Sequence, residues 1–213
     1  MIVAGTAFAA VTAVHLGARA AGAEGTADVT QWFLMPLLAL TLWSAADGAR
    51  SSRLVRLTLV ALGFSWLGDT APDLVGDDLA FLTMLGFFLL AHICYLVAFW
   101  PLRRDGVVGR RPVLLLPYLA VLAGLLVACA PGTGDLLVPT IVYGAALTAV
   151  AALATFDRLA AVGGALFLLS DSLIALDAFV DDYALPGHGF WVMLTYVAAQ
   201  TLLAAGVLRT ARR

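Results

Sequence analysis

The chain has 213 residues, of which 62% are hydrophobic and only 12% charged, with a formal net charge of −2. Soluble domains carry about 25% charged residues, so this composition excludes an ordinary soluble enzyme and describes a polytopic membrane protein. All twelve basic residues are arginine, and no basic tract or aromatic-basic interleaving suits nucleic acid.

A span needs about 20 apolar residues, and by that ruler the chain is all-α, with eight transmembrane helices in a single domain over 1–213. The first is predicted over Ile2–Ala18. It resembles a signal peptide but lacks a basic leader before its apolar part, so a retained helix is expected. The second runs over Trp32–Ala46 and contains Pro36. The third is Leu54–Thr70, the fourth Leu79–Trp100 and the fifth Pro112–Ala130. Leu136–Phe156, Leu159–Phe179 and Gly189–Leu208 complete the set. Breaks carry Gly, Pro and Asp, as at Ala71-Pro72-Asp73, Pro131-Gly132-Thr133-Gly134 and Leu185-Pro186-Gly187. Cys94 and Cys129 both fall inside predicted spans without a C-x-x-C partner, so they read as small apolar fillers.

Charge orients the eight-span arrangement. Arg50, Arg53, Arg56, Arg103, Arg104, Arg110, Arg111, Arg158, Arg209, Arg212 and Arg213 fall on one side, and only Arg19 falls on the other. By the positive-inside rule both termini are cytoplasmic, as in a bacterial cytoplasmic membrane. The opposite loops hold Asp73, Asp77, Asp78, Asp135, Asp181 and Asp182, which read as solvated loop ends.

The polar residues inside the spans are the informative ones. Asp171, between Ser170 and Ser172, sits in the seventh helix, where a carboxylate costs roughly 2.5–3.5 kcal/mol at the bilayer centre on insertion scales. Such a group faces a bundle interior or a water-filled cavity, or else joins two helices as a structural hydrogen bond. Asp69 lies near the outer end of the third helix. In the fourth, Phe81, Phe88, His92, Tyr95 and Phe99 recur at spacings of seven, four, three and four, so they share one face. Tyr143 belongs to the sixth helix; Tyr196 and Gln200, four apart, stack on one face of the eighth. Counted at about 1.5 Å per residue, Asp171, Tyr196 and Gln200 fall near the middle, Asp69 and Tyr143 nearer the outer face and His92 deeper toward the cytoplasm. Their depths overlap, so an internal polar cavity is expected to gather them.

The segments Gly68-Asp69, Phe88-x-x-Ala91-His92-x-x-Tyr95, Gly164-Ala165-x-Phe167-x-x-Ser170-Asp171-Ser172 and Thr195-Tyr196-x-x-Ala199-Gln200 follow one another in this order. With that set the chain resembles the lysoplasmalogenase (YhhN-like) family of eight-span membrane proteins over nearly its full length. It departs from the family in the second helix, where Gln31-Trp32-Phe33 and Pro36 stand in place of a Lys-Pro start. The resemblance implies hydrolysis of the vinyl ether bond of lysoplasmalogens to a fatty aldehyde and a glycerophospho-alcohol, with Asp69 and Asp171 as catalytic residues. The implied partners are a lysophospholipid substrate and membrane lipids.

Vinyl ether cleavage begins with protonation of carbon and passes through an oxocarbenium ion. Two carboxyl groups suit it, one protonated as acid and one ionised to steady the cation. Asp171, the deeper, is assigned the acid and Asp69 the ionised partner. His92, Tyr95, Tyr143, Ser170, Ser172, Tyr196 and Gln200 are candidate substrate-binding residues. No cofactor or metal is invoked. Two other readings remain open. A zinc-dependent hydrolase of the ceramidase type would need His15, His92 and His188 to converge. A carrier or binding protein for a lysolipid or small solute would use the same cavity without turnover.

Overall fold

A computed structural model describes residues 2–213, and among them eight long helices and no strand are found. We label them α1 (Ile2–Ala21), α2 (Glu24–Ala45), α3 (Arg53–Thr70), α4 (Asp77–Phe99), α5 (Leu116–Thr133), α6 (Leu137–Leu153), α7 (Arg158–Phe179) and α8 (His188–Ala211). Each expected helix is present. Among the described residues, six helical stretches are long and apolar enough to cross a membrane; one of these, Pro112–Phe156, takes in both α5 and α6, and α2 is not among them. The chain is therefore all-α and built for a bilayer. Helix α5 carries no charged residue, yet Val127 is 77% and Leu119 55% exposed, a surface that belongs in lipid. The loop carboxylates Asp73, Asp77, Asp78, Asp135, Asp181 and Asp182 are all exposed.

The boundaries differ most in α2, which starts at Glu24 and not at Trp32. Its polar first turns are helical because they face α1. The two helices meet through a turn of the Schellman type: Gly22 has φ +67°, its N–H donates to the Arg19 carbonyl, and the Ala23 N–H donates to the Ala18 carbonyl. Further along the chain, α5 begins at Leu116 because Pro112–Leu115 forms a separate 3₁₀ turn. The start of α7 is capped by Asp157, whose Oδ1 accepts from the Leu159 N–H at 2.8 Å.

The chain divides into two compact units. One comprises the residues up to Ala98 together with Ala204–Arg213, the other Phe99–Leu203. In the first, α1 and α2 form an antiparallel hairpin and α3 packs on α2. Pro36 sits inside α2 and has no N–H, which leaves the Trp32 carbonyl, four residues back, without its helical donor. The Trp66 indole N–H of α3 supplies that donor at 3.0 Å. The C-terminal end of α2 is closed in the same way, by Arg212 donating to the Ala45 carbonyl at 2.5 Å.

In the second unit α7 is central. Gly163 lies against α8, where a Cβ would come 2.8 Å from both the Ala199 carbonyl oxygen and the Leu203 nitrogen. Its neighbour Gly164 lies against α6, where a Cβ would come 3.0 Å from the Ala151 Cα. Adjacent glycines thus let one helix approach two others, which is how helices associate when lipid removes the hydrophobic drive between them. An alanine at Gly163 is expected to lower stability by about 1–3 kcal/mol, the usual range for overpacking. Gly124, with nothing within 4 Å of its added Cβ, is the control: Gly124→Ala should be neutral or stabilising by up to about 1 kcal/mol. Thermal unfolding of both variants in detergent checks the pair.

Candidate functional site

The second unit holds six of the nine candidate residues. Tyr143 lies six residues into α6 and Asp171 eight residues before the end of α7, or about 9 and 12 Å from those ends at 1.5 Å per residue. The helices run antiparallel, so the two residues meet at one level. The Tyr143 hydroxyl donates to Asp171 Oδ2 at 2.5 Å. Asp171 is only 7% exposed.

The flanking serines turn elsewhere. Ser170 is fully buried and its hydroxyl donates to the Val192 carbonyl of α8 at 3.1 Å. Ser172 donates back to the Leu168 carbonyl one turn earlier. It also lines a cleft of about 420 Å³ with Ala165, Leu168 and Leu169 of α7 and Tyr118, Val121 and Leu125 of α5. Successive helix positions are separated by about 100°, so three neighbours in sequence serve three directions. On α8, Tyr196 packs edge-on to Phe167 with ring centroids 6.0 Å apart, and Gln200, one turn on, is fully buried.

The first unit holds Asp69, His92 and Tyr95. Asp69 is the penultimate residue of α3 and is half-buried. His92 and Tyr95 of α4 are fully buried, and Phe88, one turn before His92 on the same stripe, is 7% exposed. Phe88 covers Gly68: a Cβ there would come 2.7 Å from the ring, so the residue before Asp69 has to be glycine for this packing.

One polar cluster, on α1 and the start of α2, lies outside the nine candidates. His15 of α1 is fully buried, with Nδ1 3.1 Å from the Ala27 carbonyl and 2.9 Å from the Thr30 hydroxyl. One turn on, Arg19 pairs with Glu24 at 2.6 Å, donates to Gln31 Oε1 at 3.0 Å and lies 3.8 Å from Asp28. Gln31 Nε2 in turn donates to the main-chain carbonyl of Asp69 at 3.1 Å. The signal was present as Glu24, Asp28 and Gln31, spaced i, i+4 and i+7. A second helix beginning at Trp32 leaves all three outside it, and the pattern shows only with the helix begun at Glu24.

A YhhN family model matches residues 27–207. The chain belongs to the YhhN family. All nine candidate residues and Gln31 fall inside the matched segment, and His15 and Arg19 fall before it. Among similar proteins are lysoplasmalogenases of Mycobacterium bovis and Mycobacterium tuberculosis, each 36% identical over 177 residues, covering 79% of this chain and 67% of theirs. A lysoplasmalogenase of Rattus norvegicus is 34% identical over 178 residues, covering 81% of this chain and 69% of its own. No solved structure matches the chain. Among the described residues of this YhhN protein, no three His, Cys, Asp or Glu side chains gather in a group that could hold a metal ion.

The Tyr143–Asp171 bond generates a direct test. Interhelical hydrogen bonds in membrane proteins contribute about 0.6–2 kcal/mol, so Tyr143→Phe should lower stability by that amount. Asp171→Asn keeps an acceptor oxygen and should cost less than Asp171→Leu. A double-mutant cycle of Tyr143→Phe with Asp171→Leu, read by thermal unfolding in detergent, should return a coupling of the same size.

Proposed function

We propose that this YhhN protein is a membrane-embedded hydrolase that cleaves the vinyl ether bond of lysoplasmalogens, releasing a fatty aldehyde and a glycerophospho-alcohol. The observation that carries the reading is that relatives 34–36% identical over about four-fifths of the chain bear the name lysoplasmalogenase. The chemistry of the buried carboxyl supports it. In this reading Asp171 transfers its proton to the alkene carbon remote from the ether oxygen, and the π electrons form the new C–H bond. The adjacent carbon becomes an oxocarbenium ion. Water adds to it and returns a proton to the Asp171 carboxylate. The resulting hemiacetal then breaks its C–O bond, with a proton passing to the glycerol oxygen, to give aldehyde and alcohol.

Tyr143 fits a supporting role, because its hydrogen bond to Oδ2 strengthens as the proton leaves the carboxyl and charge develops on it. Asp69 is assigned the ionised carboxylate that steadies the cation. His92, Tyr95, Ser170, Ser172, Tyr196 and Gln200 are assigned to substrate binding. We place the chain as one domain of eight spans in a bacterial cytoplasmic membrane with both termini cytoplasmic, which accounts for eleven of its twelve arginines.

The assay is aldehyde release from a lysoplasmalogen by the purified protein, with bound lipid measured alongside. Asp171→Asn keeps size and shape but has no proton to transfer, so release should be abolished. Asp69→Asn should lower kcat far more than it raises KM, because the charge acts mainly in the transition state. Ester-linked lysolipid should bind without being cleaved. Lipid retained by the wild type with no aldehyde released would overturn the enzyme reading in favour of a carrier, and activity in Asp171→Asn would overturn the acid assignment. Reporters fused to each terminus test the orientation.

A further inference from the structure

The last turn of α3 is held from three sides within its own unit. Trp66 donates its indole N–H to the Trp32 carbonyl that Pro36 leaves without a helical donor. Gly68 lies under the Phe88 ring. Thr70 donates to the Trp66 carbonyl at 2.8 Å. Between these, the carbonyl of Asp69 belongs to the final turn of the helix, and Gln31 Nε2 reaches it at 3.1 Å.

The amide of Gln31 can be oriented in only one way. A guanidinium can only donate, so Arg19 must face Oε1; a main-chain carbonyl can only accept, so Asp69 must face Nε2. Both contacts are made, at 3.0 and 3.1 Å. Arg19 is in turn fixed by Glu24 at 2.6 Å, within a hairpin whose turn brings α1 and α2 together two residues apart. A chain of directed bonds therefore runs from the Glu24 carboxylate through Arg19 and Gln31 to the peptide group that carries the Asp69 side chain. A residue serving only as glue between α2 and α3 could bond any carbonyl of the last turn. This one bonds the carbonyl of the carboxylate residue itself.

We propose that Gln31, held by Arg19, is a positioning residue for Asp69: it sets the plane of the Asp69–Thr70 peptide and with it the direction of the Asp69 side chain. The inference rests on the reading above that Asp69 acts in the reaction. Its substitutions separate the two halves of the amide. Gln31→Glu keeps the shape and strengthens the pairing with Arg19, but it sets an acceptor against the Asp69 carbonyl in place of a donor. Gln31→Met removes both bonds.

The experiment uses the full chain in detergent with lysoplasmalogen as substrate, and compares kcat, KM and Tm for wild type, Gln31→Glu, Gln31→Met, Asp69→Asn and the double variant Gln31→Glu/Asp69→Asn. Gln31→Glu should lower kcat about tenfold, a modest case of the misplacement effect, with KM within about twofold and Tm kept. In the Asp69→Asn background the same change should alter the residual rate by less than about twofold, because the two residues act as one unit. A ¹³C=O label at Asp69 supplies a readout independent of turnover: its amide I band should shift to higher frequency in Gln31→Glu and Gln31→Met as the hydrogen bond is lost. The proposal is overturned if the band does not move. It is also overturned if Gln31→Glu keeps kcat within about twofold of wild type, or lowers it equally in both backgrounds. Wild-type kcat in Asp69→Asn would instead overturn the catalytic reading of Asp69, while the band shift in the Gln31 variants would show that the Gln31 contact exists regardless.

Discussion

A carbonyl or carboxyl group surrounded by hydrocarbon has no water to bond, and each one left unpaired costs several kcal/mol. Most of the side-chain architecture of this chain answers that constraint. Pro36 takes an N–H out of α2, and an indole from α3 replaces it. The Asp69 carbonyl at the end of α3 receives a glutamine, and the Ala45 carbonyl at the end of α2 receives an arginine. The Asp171 carboxyl meets a tyrosine hydroxyl. Directed donors, each aimed at one acceptor, do here what apolar packing does in a soluble core.

The same constraint explains where small residues fall. Lipid tails are as apolar as leucine, so helices gain little by burying leucine against each other and gain more from close backbone approach. Gly163 and Gly164 bring α8 and α6 against α7, eight and seven residues before Asp171. This close packing sets the distance at which Tyr143 can reach the carboxyl. Substituting either glycine acts on the carboxyl through geometry, without touching it.

Two kinds of polar residue can then be told apart by what their side chains bond. Ser170, Ser172 and Thr70 each donate to a main-chain carbonyl, as serine and threonine in helices often do. Tyr143 bonds an ionisable side chain, and Gln31 links a guanidinium to the peptide of another ionisable residue. Arrangements of the second kind orient groups that can change charge, and orientation is what acid–base chemistry on a lipid would require of them.

The sequence by itself determined the all-α, membrane-embedded class and the existence of all eight helices, because a run of about 20 apolar residues has few other uses, and its ordered motifs carried the family resemblance. Counting residues along the helices set Asp171 level with Tyr196 and Gln200 and set Tyr143 nearer the outer face, whereas the structure bonds Tyr143 to Asp171. The apolar pattern missed the first two turns of α2, because Glu24, Asp28 and Gln31 read as loop until Arg19 and His15 of α1 are seen opposite them. It placed Ser170 and Ser172 beside Asp171 as one group, whereas helical rotation sends them to different neighbours. Local pattern records which faces are apolar and where chains turn. Which donor meets which acceptor across two helices depends on the distance and rotation between them, and only the tertiary structure decided that.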